Sequence, residues 1–246
     1  MTASWPADVP KKAVPYFVRK EVFMMKILKI LLILFLILPA LPAGSDESLH
    51  SILQGIRRNY GNLPGLVIPY ERGIISKTMQ AMGDQDKGGD FATGKLFFKS
   101  PNMLRIEQET PNPESVITNG QIMWWHVPKK NTVYRFRSGN LGRELKLLGD
   151  IFQGLKGVEE SFMAVLSDQG EGRYRIELTP KQPWPEVSTI LITVLQQEYR
   201  IAVVEIHNLV GGITRFTLGP PTGKKDFEMG FFEFTPPEGA KIVESE

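Results

Sequence analysis

The stretch "VITNGQIMWWHVPKKNTVYRF", residues 116–136, decides the fold class. Asn119-Gly120 lies between two apolar runs, which predicts a two-residue hairpin turn. A second turn at Pro128–Asn131 leads into a third strand. The middle strand, Ile122 to Val127, is apolar on both faces, because the neighbours Trp124 and Trp125 must point to opposite sides of a sheet. A sheet with bulk on both sides needs a partner for each, either a packed layer or an apolar cavity.

The front of the chain has a different composition. Lys26 and Lys29 precede the unbroken apolar run Ile30 to Leu38, and small residues follow at Ala40, Ala43 and Gly44. That is the three-part layout of a secretory signal peptide. The run is far shorter than the roughly 18 residues that span a bilayer. Cleavage is expected near Ala43, with residues 1–43 an N-terminal extension and export signal and 44–246 one domain, which places the protein in the periplasm. The first 43 residues hold six of the 29 basic and two of the 27 acidic side chains, leaving a net charge of −2 on the rest. No basic footprint for nucleic acid remains. The chain has no Cys, so no disulfide stabilises it and no lipidated cysteine anchors it.

Past the signal, Ser45 to Tyr60 predicts a helix with its apolar stripe at Leu49, Ile52, Leu53, Ile56 and Tyr60 and a stop at Gly61. Nearly everything after it is strand. Residues 66–82 are extended, with Pro69 suggesting an edge or a bulge, and 83–90 form a loop. Further strands follow from 91 to 136, then at 173–180, 187–196, 200–209, 212–218 and 226–234. Ten or eleven strands joined by short turns make an antiparallel meander large enough to curl. Residues 140–157 break the rhythm, with Leu141, Leu145, Leu148, Ile151, Phe152 and Leu155 on one helical face. Gly142, Gly149 and Gly154 each cost about 1 kcal/mol against Ala in a helix, so this helix is amphipathic but intrinsically weak. The fold class that follows is α+β, mainly β: either an ordinary two-layer core that takes up both Trp residues, or an incomplete antiparallel barrel with a helical lid over an apolar cavity.

Chemistry-bearing patterns are sparse. His50, His126 and His207 have neither triad partners nor metal-ligand spacing. "GDQDKGG" has Asp84 and Asp86 but Lys95 at the twelfth position of a calcium loop. "GPPTGKK" is one residue short of a phosphate loop and lacks its Ser or Thr. Neither an enzyme, a metal site nor a cofactor is expected. Bulky soft side chains are abundant instead: the Trp pair, Phe97-Phe98, Phe231-Phe232 and six Met residues from Met79 to Met229. Such groups suit a flexible apolar ligand.

"GKLFFKSPNMLRIE", "PESVITNGQIMWWHVPKKNTVYRF", "YRIELTP" and the closing "FEFTPPEGAKIVE" occur in the order and spacing of one family. Over residues 46–243 the chain resembles LolA, the periplasmic lipoprotein carriers. The resemblance implies no catalysis and no cofactor. It implies acylated lipoproteins as cargo, an inner-membrane ABC-type releasing complex as donor and an outer-membrane receptor as acceptor, with a monomer as the working form. Residue by residue, it places Phe98, Leu104, Ile106, Met123, Trp124 and Trp125 at the cavity and Leu145, Leu148, Ile151 and Phe152 on the lid helix. The family's Arg before the strand-opening Pro101 is Ser100 here, so Lys99 or Arg105 is the expected lid latch. A lipid-binding sensor of the RseB type, or a carrier of other lipids on the same half-barrel, is the alternative.

Overall fold

The computed structural model describes residues 48–61, 63–77, 90–137 and 142–245. The expected export signal and residues 83–89 of the expected loop lie outside them. Helix α1, Leu49–Tyr60, starts at Ser48, whose hydroxyl accepts from the Ser51 amide at 3.3 Å. Its buried stripe is Ile52, Leu53, Ile56 and Tyr60.

Among the described residues thirteen strands make one sheet: β1 (Leu66–Ile75), β2 (Asp90–Lys99), β3 (Met103–Thr110), β4 (Glu114–Thr118), β5 (Ile122–Val127), β6 (Thr132–Arg137), β7 (Phe162–Gly170), β8 (Arg173–Pro180), β9 (Thr189–Leu195), β10 (Arg200–His207), β11 (Ile213–Leu218), β12 (Thr222–Gly223) and β13 (Lys241–Ser245). Their order is β13-β6-β5-β4-β3-β2-β1-β11-β10-β9-β8-β7, with the short β12 beside β1. Two meanders are therefore joined by the β1–β11 pairing. The edges β13 and β7 are not neighbours, so the barrel is incomplete. All pairings are antiparallel except β13 on β6, which is parallel.

Several local expectations change. Pro69 lies mid-sheet rather than at an edge. Its missing N–H falls in the gap between β11, which begins pairing at Tyr70, and β12, which pairs only with Leu66 and Val67. The Asn119-Gly120 turn is longer than two residues. The Asn119 carboxamide accepts from the Gln121 and Ile122 amides at 3.0 and 3.2 Å, and Gly120 takes φ +88°. Residues 226–234, expected as a strand, are irregular. Phe227, Phe231 and Phe232 pack on one another with ring centroids 4.9–5.1 Å apart, which an alternating strand would forbid for the adjacent pair.

The lid region holds α2, Gly142–Phe152, and the short α3, Val158–Ser161. Gly154 stands outside α2 at φ +76° and ends it. Only Gly149 weakens the helix interior, so α2 is intrinsically stronger than the glycine spacing implies.

Register assigns the faces. Direct cross-strand partners share a face, so Ile68, Leu96, Ile106, Val116, Trp125 and Tyr134 form one row on the concave side. Leu66, Phe98, Leu104, Thr118, Met123 and Phe136 form the next row. Helices α1 and α2 contribute Ile52, Ile56, Leu147, Ile151 and Phe152 to the same core.

A side chain holds α1 to β10. The Tyr60 hydroxyl accepts from the Ile201 amide at 3.0 Å, where the β9–β10 register shifts and leaves that N–H outside the ladder. Burial pushes the Tyr60 phenol up to about 12 from its ordinary 10, against the smaller lowering effect of the Ile201 bond. The folded state thus holds the proton more tightly. Its stabilising contribution is complete below pH 10 and is lost as the pH rises toward 12. A shift of this size corresponds to roughly 2–3 kcal/mol. Tyr60→Phe is expected to lower stability near neutral pH by about 1–3 kcal/mol, because the Ile201 amide loses its acceptor. It should also flatten the alkaline decline. Urea unfolding of both proteins at pH 8 and pH 11 measures each effect, and parallel alkaline losses would refute the assignment.

Candidate functional site: an apolar cavity under the lid

An apolar cavity of about 360 Å³ lies under α2. The sheet supplies Leu96 and Ile106 from one meander and Val204, Ile206, Phe216 and Leu218 from the other. Helix α2 covers it with Leu147, Leu148, Ile151 and Phe152, while Trp184, Val187 and the exposed Glu186 close it from the loop between β8 and β9. Both meanders must be present for the cavity to exist, so the β1–β11 pairing creates it. Its size is that of a pocket for one small organic molecule.

The cavity and lid positions expected from sequence divide into groups. Ile106, Leu148, Ile151 and Phe152 line the cavity. Leu145 is on α2, but its side chain lies outside the described residues. Phe98 and Leu104 are buried on the concave face, one row from Ile106, and Phe98 meets Phe152 with centroids 5.7 Å apart. Met123 and Trp125 are half-buried on that face, outside the closed cavity wall. Trp125 stacks on Tyr134 at 4.9 Å and donates to the Glu114 carboxylate at 2.9 Å.

Trp124 is on the other face. There it packs on Phe234 at 5.8 Å under the Arg135 guanidinium at 5.3 Å. The convex face is thus covered by the C-terminal segment, which answers why β5 carries bulk on both sides.

Lys99 and Arg105, expected as the lid latch, are turned by strand register to the face opposite the cavity. Arg105 shares its row with Phe97, Ile117 and Trp124 on the convex face. Its guanidinium bonds Glu107 at 2.7 Å and the Phe231 carbonyl at 3.0 Å, and lies 4.8 Å from the Phe231 ring. It therefore fastens the C-terminal segment. Lys99, two residues along β2 from Phe97, belongs to the same face.

The lid is held from α1 instead. Arg57 donates to the Leu155 carbonyl at 3.3 Å and to the Glu159 carboxylate at 2.6 Å. Beside it, Gly154 comes so close to α1 that an added Cβ would sit 2.9 Å from the Ile56 carbonyl oxygen and 3.0 Å from the Arg57 Cα. The α2 side reaches the loop after β2 through Gln153, which donates to the Pro101 carbonyl at 3.5 Å. Arg57 and Glu159 are 30% and 50% exposed, so their pair contributes about 0–1 kcal/mol. Nothing in the sequence separates Arg57 from Arg58 as the one that turns to the lid. The cavity side chains that sequence reasoning missed, from Val204 to Leu218, do alternate as strands should, but their partner across the cavity is not local.

His50 bonds Gln54, His126 packs on Phe234, and His207 stands 3.9 Å from Glu205. Among the described residues no group of three or more His, Asp or Glu could hold a metal ion. Among them, too, no helix is long and apolar enough to cross a membrane.

The family model described as "Outer membrane lipoprotein carrier protein LolA" matches residues 79–235. The chain belongs to the LolA family. Two relatives, each named outer-membrane lipoprotein carrier protein, extend the match. The one from Alkalilimnicola ehrlichii is 26% identical over 171 residues, covering 68% of this chain and 75% of the relative. The one from Dechloromonas aromatica is 24% identical over 202 residues, covering 82% and 88%. Among solved structures, a LolA superfamily protein from Nitrosomonas europaea aligns over 75% of this chain and 97% of its own, at 11% identity and a TM-score of 0.43. In LolA-family terms, the open sheet is the incomplete barrel and α2 is the lid.

Proposed function

We propose that this LolA-family chain is a periplasmic carrier of acylated lipoproteins, taking acyl chains into the cavity under α2 and releasing them at the outer membrane. The observation that carries the reading is the apolar cavity, walled by both meanders and covered by a separate helix. No reaction is required of it. Residues 1–43 would direct export, and 44–246 would work as a monomer between an inner-membrane ABC-type releasing complex and an outer-membrane receptor.

The energetics fit a carrier better than a permanent binder. Burying an acyl chain contributes about 0.8 kcal/mol per CH₂. Three long chains fully buried would pass the ceiling of roughly 18–21 kcal/mol for non-covalent affinity, and nothing would be released. The closed cavity takes far less than that. Its own apolar walls pack against the lid when empty, so closure competes with cargo. Met123, Trp125 and Tyr134, half-buried on the concave face, offer further apolar area once the lid moves.

The test is release from spheroplasts of the source cell by the chain from Ser45 onward. Lipoproteins recovered in a soluble one-to-one complex support the carrier. Free lipid alone would shift the reading to a lipid carrier or sensor, and recovery of nothing would remove it.

A further inference from the structure

The turn between β10 and β11, residues 208–212, holds two large apolar side chains out into solvent: Leu209 is 68% and Val210 79% exposed. The turn itself is tightly made. The Asn208 amide donates to the Gly212 carbonyl at 3.0 Å, and the Asn208 carboxamide oxygen accepts from the Val210 and Gly212 amides at 3.1 and 2.7 Å. Gly211 takes φ +87°. Both strands that it joins are cavity walls, through Val204 and Ile206 on β10 and Phe216 and Leu218 on β11. At a rise of about 3.3 Å per residue, Leu209 stands about 10 Å along the chain from Ile206. Ile74, 40% exposed, continues the Ile206 row across Thr214 of β11 onto β1. The loop that carries Trp184 and Val187 is tied to the foot of the same turn, because the Ser188 amide and hydroxyl both donate to the His207 carbonyl, at 2.8 and 3.0 Å.

We propose that this turn is a bilayer-contact element: Leu209 and Val210 enter the interface of an anionic lipid membrane and bring the cavity wall to the surface where cargo is exchanged. The contact itself needs no cargo, while its use in exchange rests on the carrier reading. Two side chains on a convex turn offer far less than the roughly 800 Å² per partner of a stable protein interface. A bilayer accepts a projecting apolar group without a complementary groove. Charge agrees with a lipid surface. Residues 206–214 include no acid, and the exposed Lys77 runs beside the turn, its Cδ 3.2 Å from where a Gly211 Cβ would stand. Its stem lies along the turn, as a lysine at a membrane interface does, with the ammonium free to meet anionic head groups. Acids on the adjoining strands are offset by cations: Glu205 accepts from Arg215 at 2.7 Å, and Asp90 stands 3.8 Å from Arg72. A contact of two side chains is weak, which suits a carrier that must leave the membrane again.

The chain has no Cys, so Val210→Cys and Met163→Cys can each carry a single environment-sensitive fluorophore. Met163 is 58% exposed on the edge strand β7 and serves as the control. Protein-free vesicles of phosphatidylethanolamine and phosphatidylglycerol are expected to blue-shift the label at 210 and leave the label at 163 unchanged. In co-flotation of unlabelled protein with the same vesicles, the double variant Leu209→Ser, Val210→Ser is expected to lower partition about tenfold or more. Lys77→Gln should lower it about fivefold, and only where phosphatidylglycerol is present. All three side chains are exposed, so the variants should fold as the wild type does. A fluorescent acyl probe should bind the double variant as it binds the wild type, since neither residue lines the cavity. Equal shifts at 210 and 163, or unchanged partition in either variant, would overturn the proposal. So would an absence of binding to protein-free vesicles, which would turn the tip toward a protein partner instead. Failure of the acyl probe with both proteins would remove the carrier reading and leave the vesicle result to decide the membrane contact by itself.

Discussion

Leu148→Glu is expected to lower the affinity for a fluorescent acyl probe by at least about tenfold, near 1.4 kcal/mol. Leu148 is half-buried, lines the cavity from α2, and packs against the core without belonging to its most buried set. A carboxylate there retains water while the lid is open. Seating an acyl chain against it strips that water, and a charge left unpaired in apolar surroundings is costly. The same charge weakens closure of the empty lid, which would make the cavity easier to enter. The two effects oppose one another, and the desolvation effect dominates, because it acts on the bound state directly while closure involves several other side chains. Thermal unfolding should change little. An unchanged or tighter probe affinity, with the fold intact, would show that α2 does not form the binding wall.

Gly154→Ala is expected to destabilise the protein by about 2–3 kcal/mol and to loosen the lid. Two costs add here. An L-residue held in the left-handed region costs about 1–2 kcal/mol, and Gly154 has φ +76°. The new methyl also meets backbone atoms of Ile56 and Arg57 at 2.9 and 3.0 Å. Backbone in the last turns of a packed helix cannot swing aside like a side-chain tip, so overpacking adds to the loss. Relief requires the α2 exit to move off α1, which breaks the bonds from Arg57 to Leu155 and Glu159. Amide hydrogen exchange should speed up across residues 147–161 before the strands respond. If exchange accelerates uniformly, or not at all, the hinge is not at Gly154. Leu155, at φ +61° with its side chain fully buried, marks the same corner.

Much of the architecture is legible in local pattern. The alternation from β3 through β6, the helical stripe of α1 and the apolar face of α2 each depend on a period of 2 or 3.6, and a period survives without knowledge of the fold. Periodicity placed Leu148, Ile151 and Phe152 on one helical face and Ile106 on a strand, while their placing at the cavity and lid came from the family resemblance. Patterns also show that Trp124 and Trp125 oppose one another. They do not show which is inside, since both are equally apolar. Register decides it: Trp125 pairs with Val116, Val116 pairs with Ile106, and Ile106 lines the cavity.

What the sequence indicated by itself is most of the strands, helix α1 and the apolar face of α2. Tertiary structure decided which elements meet. The cavity needs β2 and β3 opposite β10 and β11, and only the long-range pairing of β1 with β11 brings them together. Arg57 reaches the lid region from α1, whereas strand register turns Arg105 to the convex face, where it bonds the Phe231 carbonyl. The residues 226–234 gave up a strand-like pattern because three phenylalanines gained more by packing together than alternation allows. In each case short-range periodicity fixes the direction of a side chain only relative to its own element. The partner it meets depends on contacts between residues far apart in the chain, and no local pattern encodes those.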